Sequence, residues 1–161
     1  MTAMPTRGTA LAQALLHPRS IAIIGASDDA AKNAGRPLHF LRQAGCTARI
    51  YPVNPRREQV QGEQAWPSLA ALPEVPEHAY VVTPTETVIE TVAECARLGV
   101  KVASVLASGF SESGAEGSAR ERRLAEIAAR TGIRVVGPSC IGVINPREQL
   151  LLTANAAFAE P

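Results

Sequence analysis

Aromatic residues make up only 4% of the 161-residue chain, with a single tryptophan. That is too few for a platform that stacks nucleic-acid bases. Excess charge is also missing: 19% of residues are charged and the net charge is +1. Such a balance gives no broad field for nucleic acid or anionic lipid, but leaves room for a small basic pocket. Cysteine is scarce. Cys46, Cys95 and Cys140 are odd in number and lack metal-ligand spacing. They exclude a disulfide framework and point to a reduced, cytoplasmic setting. No apolar run reaches the ~18–20 residues of a membrane helix. Leu11–Leu16 is apolar but short, with Arg7 before it and His17-Pro18 in place of a small-residue cleavage site. It reads as an entry helix ended near Pro18, not as a signal peptide. Neither nucleic acid nor membrane is expected as a partner.

What is present is a core-forming chain. Apolar residues make up 46%, enough to bury a core in one domain of this length. Ser20–Ser27 (SIAIIGAS) is a short β-branched run ending at glycine, as a fully buried strand requires. Asp28–Ala34 is polar and small, a loop. Gly35–Ala44 reads as a helix stopped by Gly45. Arg49–Asn54 (RIYPVN) is a second strand, with Pro52 awkward inside it. Arg56–Leu72 is irregular, apart from a short helix at Ser68–Leu72. Ala79–Thr83 is a third strand. Thr85–Leu98 is the clearest helix: Val88, Ile89, Val92, Ala93 and Ala96 recur on one face, and Gly99 closes it. Lys101–Ala107 is a fourth strand and Gly114–Gly117 a loop. Ser118–Arg130 is a helix with Leu124, Ile127 and Ala128 inward, supported by Arg122/Glu126 and Glu126/Arg130 and stopped by Gly132. Arg134–Val136 is a fifth strand. Strands alternating with helices at this spacing predict an α/β fold, a parallel sheet with helices on both faces.

Ligands of such sheets bind outside the carboxyl ends of the strands. Those ends here read Gly25-Ala26-Ser27, with Gly35 opening the next helix, then Asn54-Pro55-Arg56-Arg57, Thr83-Pro84-Thr85, Ser108-Gly109-Phe110 and Gly137-Pro138-Ser139-Cys140. The first departs from the dinucleotide fingerprint G-x-G-x-x-G: Ser27 stands at the second glycine and the gap to Gly35 is long. The helix start at Gly35 still offers free N–H groups to a phosphate. At the second end, an NAD site expects a carboxylate for the ribose hydroxyls. Asn54 stands there, followed by Arg56 and Arg57, whose forks suit a ribose phosphate of NADP or coenzyme A. A solvated turn is the other reading of these arginines. Cys140 lies beside the expected cleft without a histidine nearby to serve as its base, so it reads as a lining residue. Glu112 and Glu116 read as solvated loop carboxylates. No catalytic constellation is visible.

The runs Pro18–Ser27 (PRSIAIIGAS), Ile50–Pro55 (IYPVNP), Ala107–Phe110 (ASGF) and Gly137–Pro146 (GPSCIGVINP) occur in an order and spacing that resemble one family. It is the N-terminal CoA-binding domain of NDP-forming acyl-CoA synthetases, relatives of the succinyl-CoA synthetase α subunit. The resemblance spans Leu16 to Phe158 and implies a Rossmann-like domain with coenzyme A across its strand ends. It places Gly25, Ala26, Ser27 and the loop to Gly35 near the CoA phosphates. It places Val53, Asn54, Pro55, Arg56 and Arg57 near the adenosine, with Arg56 or Arg57 for the 3′-phosphate. Thr83, Pro84, Ala107, Ser108 and Gly109 would line the path, and Pro138, Ser139 and Cys140 would lie near the pantetheine end.

Two departures stand out. The family's motif is G-P-N-C, where this chain has Ser139, a shorter donor and acceptor. The family's chemistry uses a phosphorylated histidine in the following, succinyl-CoA ligase-like domain and an ATP-grasp region, where ATP or GTP and Mg belong. None of His17, His39 and His78 matches that histidine. The resemblance therefore implies a chain that binds CoA without turnover, a piece of a larger ligase. It is divided as residues 1–17, an extension with a short helix, and 18–161, the CoA-binding domain. The alternatives are a freestanding regulatory module that binds CoA or a nucleotide, and an NADP-binding oxidoreductase fragment. Against the latter stand the missing second glycine and the absence of a hydride-transfer constellation.

Overall fold

The computed structural model describes residues 7–159. The first six residues of the expected extension and the last two of the expected domain lie outside them. In chain order the regular elements are α1 (Arg7–Leu16), β1 (Ser20–Ile24), α2 (Arg36–Gln43), β2 (Arg49–Val53), β3 (Gln59–Val60), β4 (Glu63–Gln64), β5 (His78–Val81), α3 (Thr85–Leu98), β6 (Val102–Val105), α4 (Ala115–Thr131), β7 (Arg134–Val136), β8 (Gly142–Asn145) and β9 (Leu150–Thr153). Short 3₁₀ turns, one of them at Leu69–Ala71, complete the connections.

Five strands form a parallel sheet in the order β2-β1-β5-β6-β7. Its register is continuous, with Ile21 opposite Ile50 on one side and His78 on the other. Side chains alternate between faces, as the pleat demands. Ala22, Ile24, Ala79, Val81, Ala103 and Val105 face α3 and α4, which contribute Val88, Ile89, Val92, Cys95, Leu124 and Ile127. Ile21, Ile23, Tyr80 and Val82 face α2, through Leu38 and Leu41, and the β8–β9 hairpin, through Leu150 and Leu152. Each valine, leucine or isoleucine among them contributes about 1.5–3 kcal/mol when fully buried. Helices cover both faces, as expected for a Rossmann-like sheet. No helix among the described residues is long and apolar enough to cross a membrane.

Pro52 is accommodated because β2 is an edge strand. Its neighbours Arg49 and Val53 bond toward β1, while the Pro52 carbonyl turns outward to accept the Trp66 N–H at 2.9 Å. The missing proline donor therefore falls on the side away from the ladder.

Several expectations need correction. The entry helix begins at Arg7, not Leu11. On α3, Ala93 faces solvent and the fully buried Cys95 takes its place in the core. α4 begins at Ala115, inside the expected loop, and the i,i+4 pair formed on it is Glu116–Arg120. The expected pairs Arg122/Glu126 and Glu126/Arg130 are not among the ion pairs of the described residues. Two small antiparallel hairpins, β3–β4 and β8–β9, were not foreseen.

Candidate functional site

The chain runs from β1 to β2 on one side, then crosses back to β5 on the other side of β1. That reversal is the switch point at which a crevice opens between strand ends. It gathers the Gly25–Ser27 segment, flanked by Asn54–Arg57 on the β2 side and Thr83 on the β5 side; the Ala107–Gly109 and Gly137–Cys140 segments continue the row.

The backbone crowds closely at the switch point. Gly25 has φ +92°, and a Cβ there would lie 2.9 Å from Thr83 Cγ2 and 3.2 Å from the Thr83 nitrogen. Gly35, just before α2, is stricter: a Cβ would lie 2.0 Å from the Asp29 carbonyl oxygen. Only glycine lets the loop fold back over the start of the helix. The loop is closed by the Ser27 N–H on the Ala34 carbonyl at 3.0 Å. The free N–H groups expected at the helix start are mostly absent: the Gly35 and Arg36 N–H groups donate to the Lys32 carbonyl at 2.9 and 3.0 Å, and Pro37 has none.

Asn54 turns out to be a brace. Its Nδ2 donates to the Ala26 carbonyl at 2.9 Å, and its Oδ1 accepts the Arg56 N–H at 2.9 Å. The Nδ2 bond holds the β1 and β2 ends together and the Oδ1 bond shapes the turn, so the amide is oriented by the protein itself. The two arginines differ. Arg57 lies 3.5 Å from Asp28 Oδ2. Arg56 is exposed, and among the described residues its guanidinium has no hydrogen-bond or ion-pair partner.

At the β5 end, Thr83 Oγ1 is buried and has no hydrogen-bond partner. A buried hydroxyl left unpaired costs about 1–3 kcal/mol, and this one stands at the crevice. Next to it Thr85 Oγ1 donates to the Ser108 carbonyl at 2.7 Å, tying the β5 and β6 ends. Glu112 is not a free loop carboxylate. Its Oε1 accepts the N–H groups of Gly109 (2.5 Å) and Phe110 (3.2 Å), and these bonds hold the carboxyl below its usual range. Glu116 pairs with Arg120, whose Nη1 donates to the Gly109 carbonyl at 2.8 Å.

At the β7 end Ser139 has φ +56°, and its N–H donates to the Ala107 carbonyl at 3.0 Å. Tyr80 anchors this segment from beneath, its hydroxyl donating to the carbonyls of Cys140 (3.1 Å) and Ile141 (2.6 Å). Cys140 is half-buried, and burial pushes its thiol up. A thiol held protonated and without a base lines the site but does not attack. Gln61, which sequence reading left unremarked in an irregular stretch, reaches the Ser27–Gly35 loop from the β3–β4 turn. Gly62 alone was a signal for that turn.

A groove of about 880 Å³ runs along the free β7 edge between α1 and α4, touching the strand ends at Gly137 and Pro138. Its lining includes the exposed Arg134 guanidinium, which also has no partner among the described residues, but not the orphan Thr83 hydroxyl of the switch point. The strand-end residues fit a phosphate-bearing nucleotide ligand: close-approach glycines, an unpaired guanidinium and an orphan hydroxyl converge on one edge.

A family model described as a CoA binding domain matches residues 19–146. The acetate–CoA ligase [ADP-forming] II of Archaeoglobus fulgidus is 40% identical over 131 residues, which are 81% of this chain and 20% of that protein. The acetate–CoA ligase [ADP-forming] II subunit alpha of Pyrococcus furiosus is 40% identical over 144 residues, 88% of this chain and 30% of the subunit. The dinucleotide-forming acetyl-coenzyme A synthetase 1 of Ca. Korarchaeum cryptofilum, solved with phosphate and ADP, superposes with a TM-score of 0.83 at 31% identity, covering 89% of this chain and 30% of that one. The chain thus spans 20–30% of the length of these curated relatives. With the family model matching most of its length and the fold matching that of its relatives, the chain belongs to the CoA-binding domain family.

Proposed function

We propose that this chain is the CoA-binding module of an NDP-forming acid–CoA ligase and holds coenzyme A across the carboxyl edge of its sheet. The observation that carries this is the similarity to a ligase alpha subunit over 88% of the chain, which includes every strand end described above. Ser27, the loop to Gly35 and the Gly25-Ala26 turn take the phosphates. The Val53–Arg57 turn takes the adenosine, with Asn54 and Pro55 shaping it. Arg56, the unpaired guanidinium, takes the 3′-phosphate. The Thr83 hydroxyl and Pro84, with Ala107, Ser108 and Gly109, line the path to Pro138, Ser139 and Cys140 at the pantetheine end.

CoA supplies the thiol that becomes the thioester. This chain fixes where that thiol stands, so that its reaction is effectively intramolecular. Activation of the acid falls to further domains, a succinyl-CoA ligase-like one and an ATP-grasp one that uses ATP or GTP with Mg. The division at Pro18, with α1 as a leading segment, and a cytoplasmic setting belong to the same proposal.

Calorimetry with CoA and dephospho-CoA tests it. CoA is expected to bind more tightly; equal affinities remove the arginine's role, and no binding of either overturns the module. Incubation of the chain with ATP, carboxylic acid and CoA is expected to give no thioester. Turnover would show that the chemistry does not need the further domains.

A further inference from the structure

Gln61 stands where glutamine is not expected. The β3–β4 turn consists of Gln61 and Gly62, with φ of +52° and +79°. Two-residue hairpin turns with both φ positive favour Asn-Gly, Asp-Gly or Gly-Gly, because those residues accept the left-handed region most readily. A glutamine kept there is an outlier that points to a role. Its side chain leaves the hairpin altogether. Nε2 donates to the Ser27 carbonyl at 3.0 Å and to the Gly35 carbonyl at 2.9 Å. Those carbonyls belong to the two mouths of the β1–α2 loop. The Gln61 backbone N–H donates to Asp28 Oδ1, inside the same loop, at 2.6 Å.

A short glycine fingerprint holds its amides in place by its own tightness. The Ser27–Gly35 loop is longer, with Ser27 in place of the second glycine; its inner amides bond within the loop, while the carbonyls at its two mouths are tied from outside by Gln61. We propose that Gln61 is the positioning residue of this loop: a clamp that fixes the spacing of its two mouths, and so the shape that the loop presents to the pyrophosphate of CoA. This rests on the CoA-binding reading above. Asparagine, one methylene shorter, suits the turn better but does not span both carbonyls.

That conflict supplies the test. In Gln61→Asn and Gln61→Gly, turn chemistry predicts an unchanged or higher thermal midpoint. The clamp predicts CoA binding weaker by about tenfold through lost preorganisation. Dephospho-CoA, which shares the pyrophosphate, loses affinity by the same factor. The amides of Ser27–Gly35 exchange faster with solvent in the ligand-free variants. Unchanged affinity with unchanged exchange overturns the proposal. So does a loss confined to CoA, which would move Gln61 to the 3′-phosphate, and so does a midpoint that falls with the affinity in both variants, the mark of a structural prop. If the unaltered chain does not bind CoA while exchange still quickens in the variants, the clamp stands and the CoA reading falls.

Discussion

The two ends of the parallel sheet differ in which polar groups they pair. At the amino end charges are tied to one another. Glu77, 7% exposed, accepts the Arg19 backbone N–H and two guanidinium bonds, and lies 3.4 Å from Lys101 Nζ. Burial alone would push the Glu77 carboxyl up; the Arg19 bonds and the Lys101 ammonium outweigh it and hold it below its usual range. Glu74 binds the Arg49 guanidinium and accepts the Tyr51 hydroxyl at 2.6 Å, and is held down to about 2. At the carboxyl end the Arg56 guanidinium and the Thr83 hydroxyl have no partner within the described protein. The buried carboxylates of the amino edge are thus paired, while the carboxyl edge keeps a guanidinium and a hydroxyl unpaired beside pairs such as Arg57–Asp28 and Glu116–Arg120. Changes at the amino end should therefore move stability, and changes at the carboxyl end should move binding.

The largest expected effect sharpens the amino half. His78 is fully buried at the start of β5, its Nε2 2.7 Å from Ser104 Oγ. Its Nδ1 faces the Ala14 backbone without a hydrogen bond of good geometry. Burial lowers its pKa from 6.5 to about 4. The unfolded chain therefore takes up this proton first on acidification. The stability that neutral His78 contributes is complete above pH 6.5 and is lost as pH falls from there to about 4, by about 3 kcal/mol in all. Denaturant melts across that window check this, with His78→Gln expected to flatten the slope; an equal slope in the variant refutes it. Glu77→Ala comes next, at about 2 kcal/mol, since it removes charge-assisted bonds from a buried carboxylate. Its CoA affinity should not change, and a large drop in binding would break the contrast between the edges.

Arg56→Ala tests the open edge. It should weaken CoA by about tenfold, as loss of one charge-assisted contact does, and leave dephospho-CoA unaffected and the melting temperature within error. Arg57, already facing Asp28, should show a smaller effect. If Arg57→Ala instead shows the larger CoA-specific loss, the guanidinium that the protein already pairs is the one that meets the phosphate.

This contrast was only half legible in the sequence. The strands and helices that carry the switch point were readable, because SIAIIGAS and the 3.6-residue stripe of Thr85–Leu98 are strong local signals. The hairpins were not. β3 and β4 have two residues each, too short for any periodicity, and the segment that holds β8 reads as a motif, GPSCIGVINP, with no strand alternation of its own. The start of α4 was hidden by Gly117, which looks like a loop residue. It is there because a Cβ would lie 1.7 Å from the Phe110 carbonyl oxygen, so the helix approaches that backbone too closely for any side chain. The positions of the candidate site residues followed from the strand-end rule, but their partners did not. Nothing local distinguishes Arg56 from Arg57, or shows that the Asn54 amide is spent on bracing, since Ala26 and Asp28 arrive from a distant part of the chain.

The smallest expected effect lies at the β7 end, where the open edge carries strain of its own. Ser139 is exposed at φ +56°, a region that costs most side chains about 1–2 kcal/mol and asparagine less. The serine hydroxyl has no hydrogen-bond partner among the described residues to offset this. Ser139→Asn should therefore stabilise the chain by about 0.5 kcal/mol, a shift readable as a rise in melting temperature. If the backbone turn at Gly137–Cys140 is what shapes the pantetheine end, CoA affinity should hold or rise with it. A stabilised variant that binds CoA less well would show the opposite: that the short hydroxyl itself meets the ligand, and that the strain at this position is kept for binding.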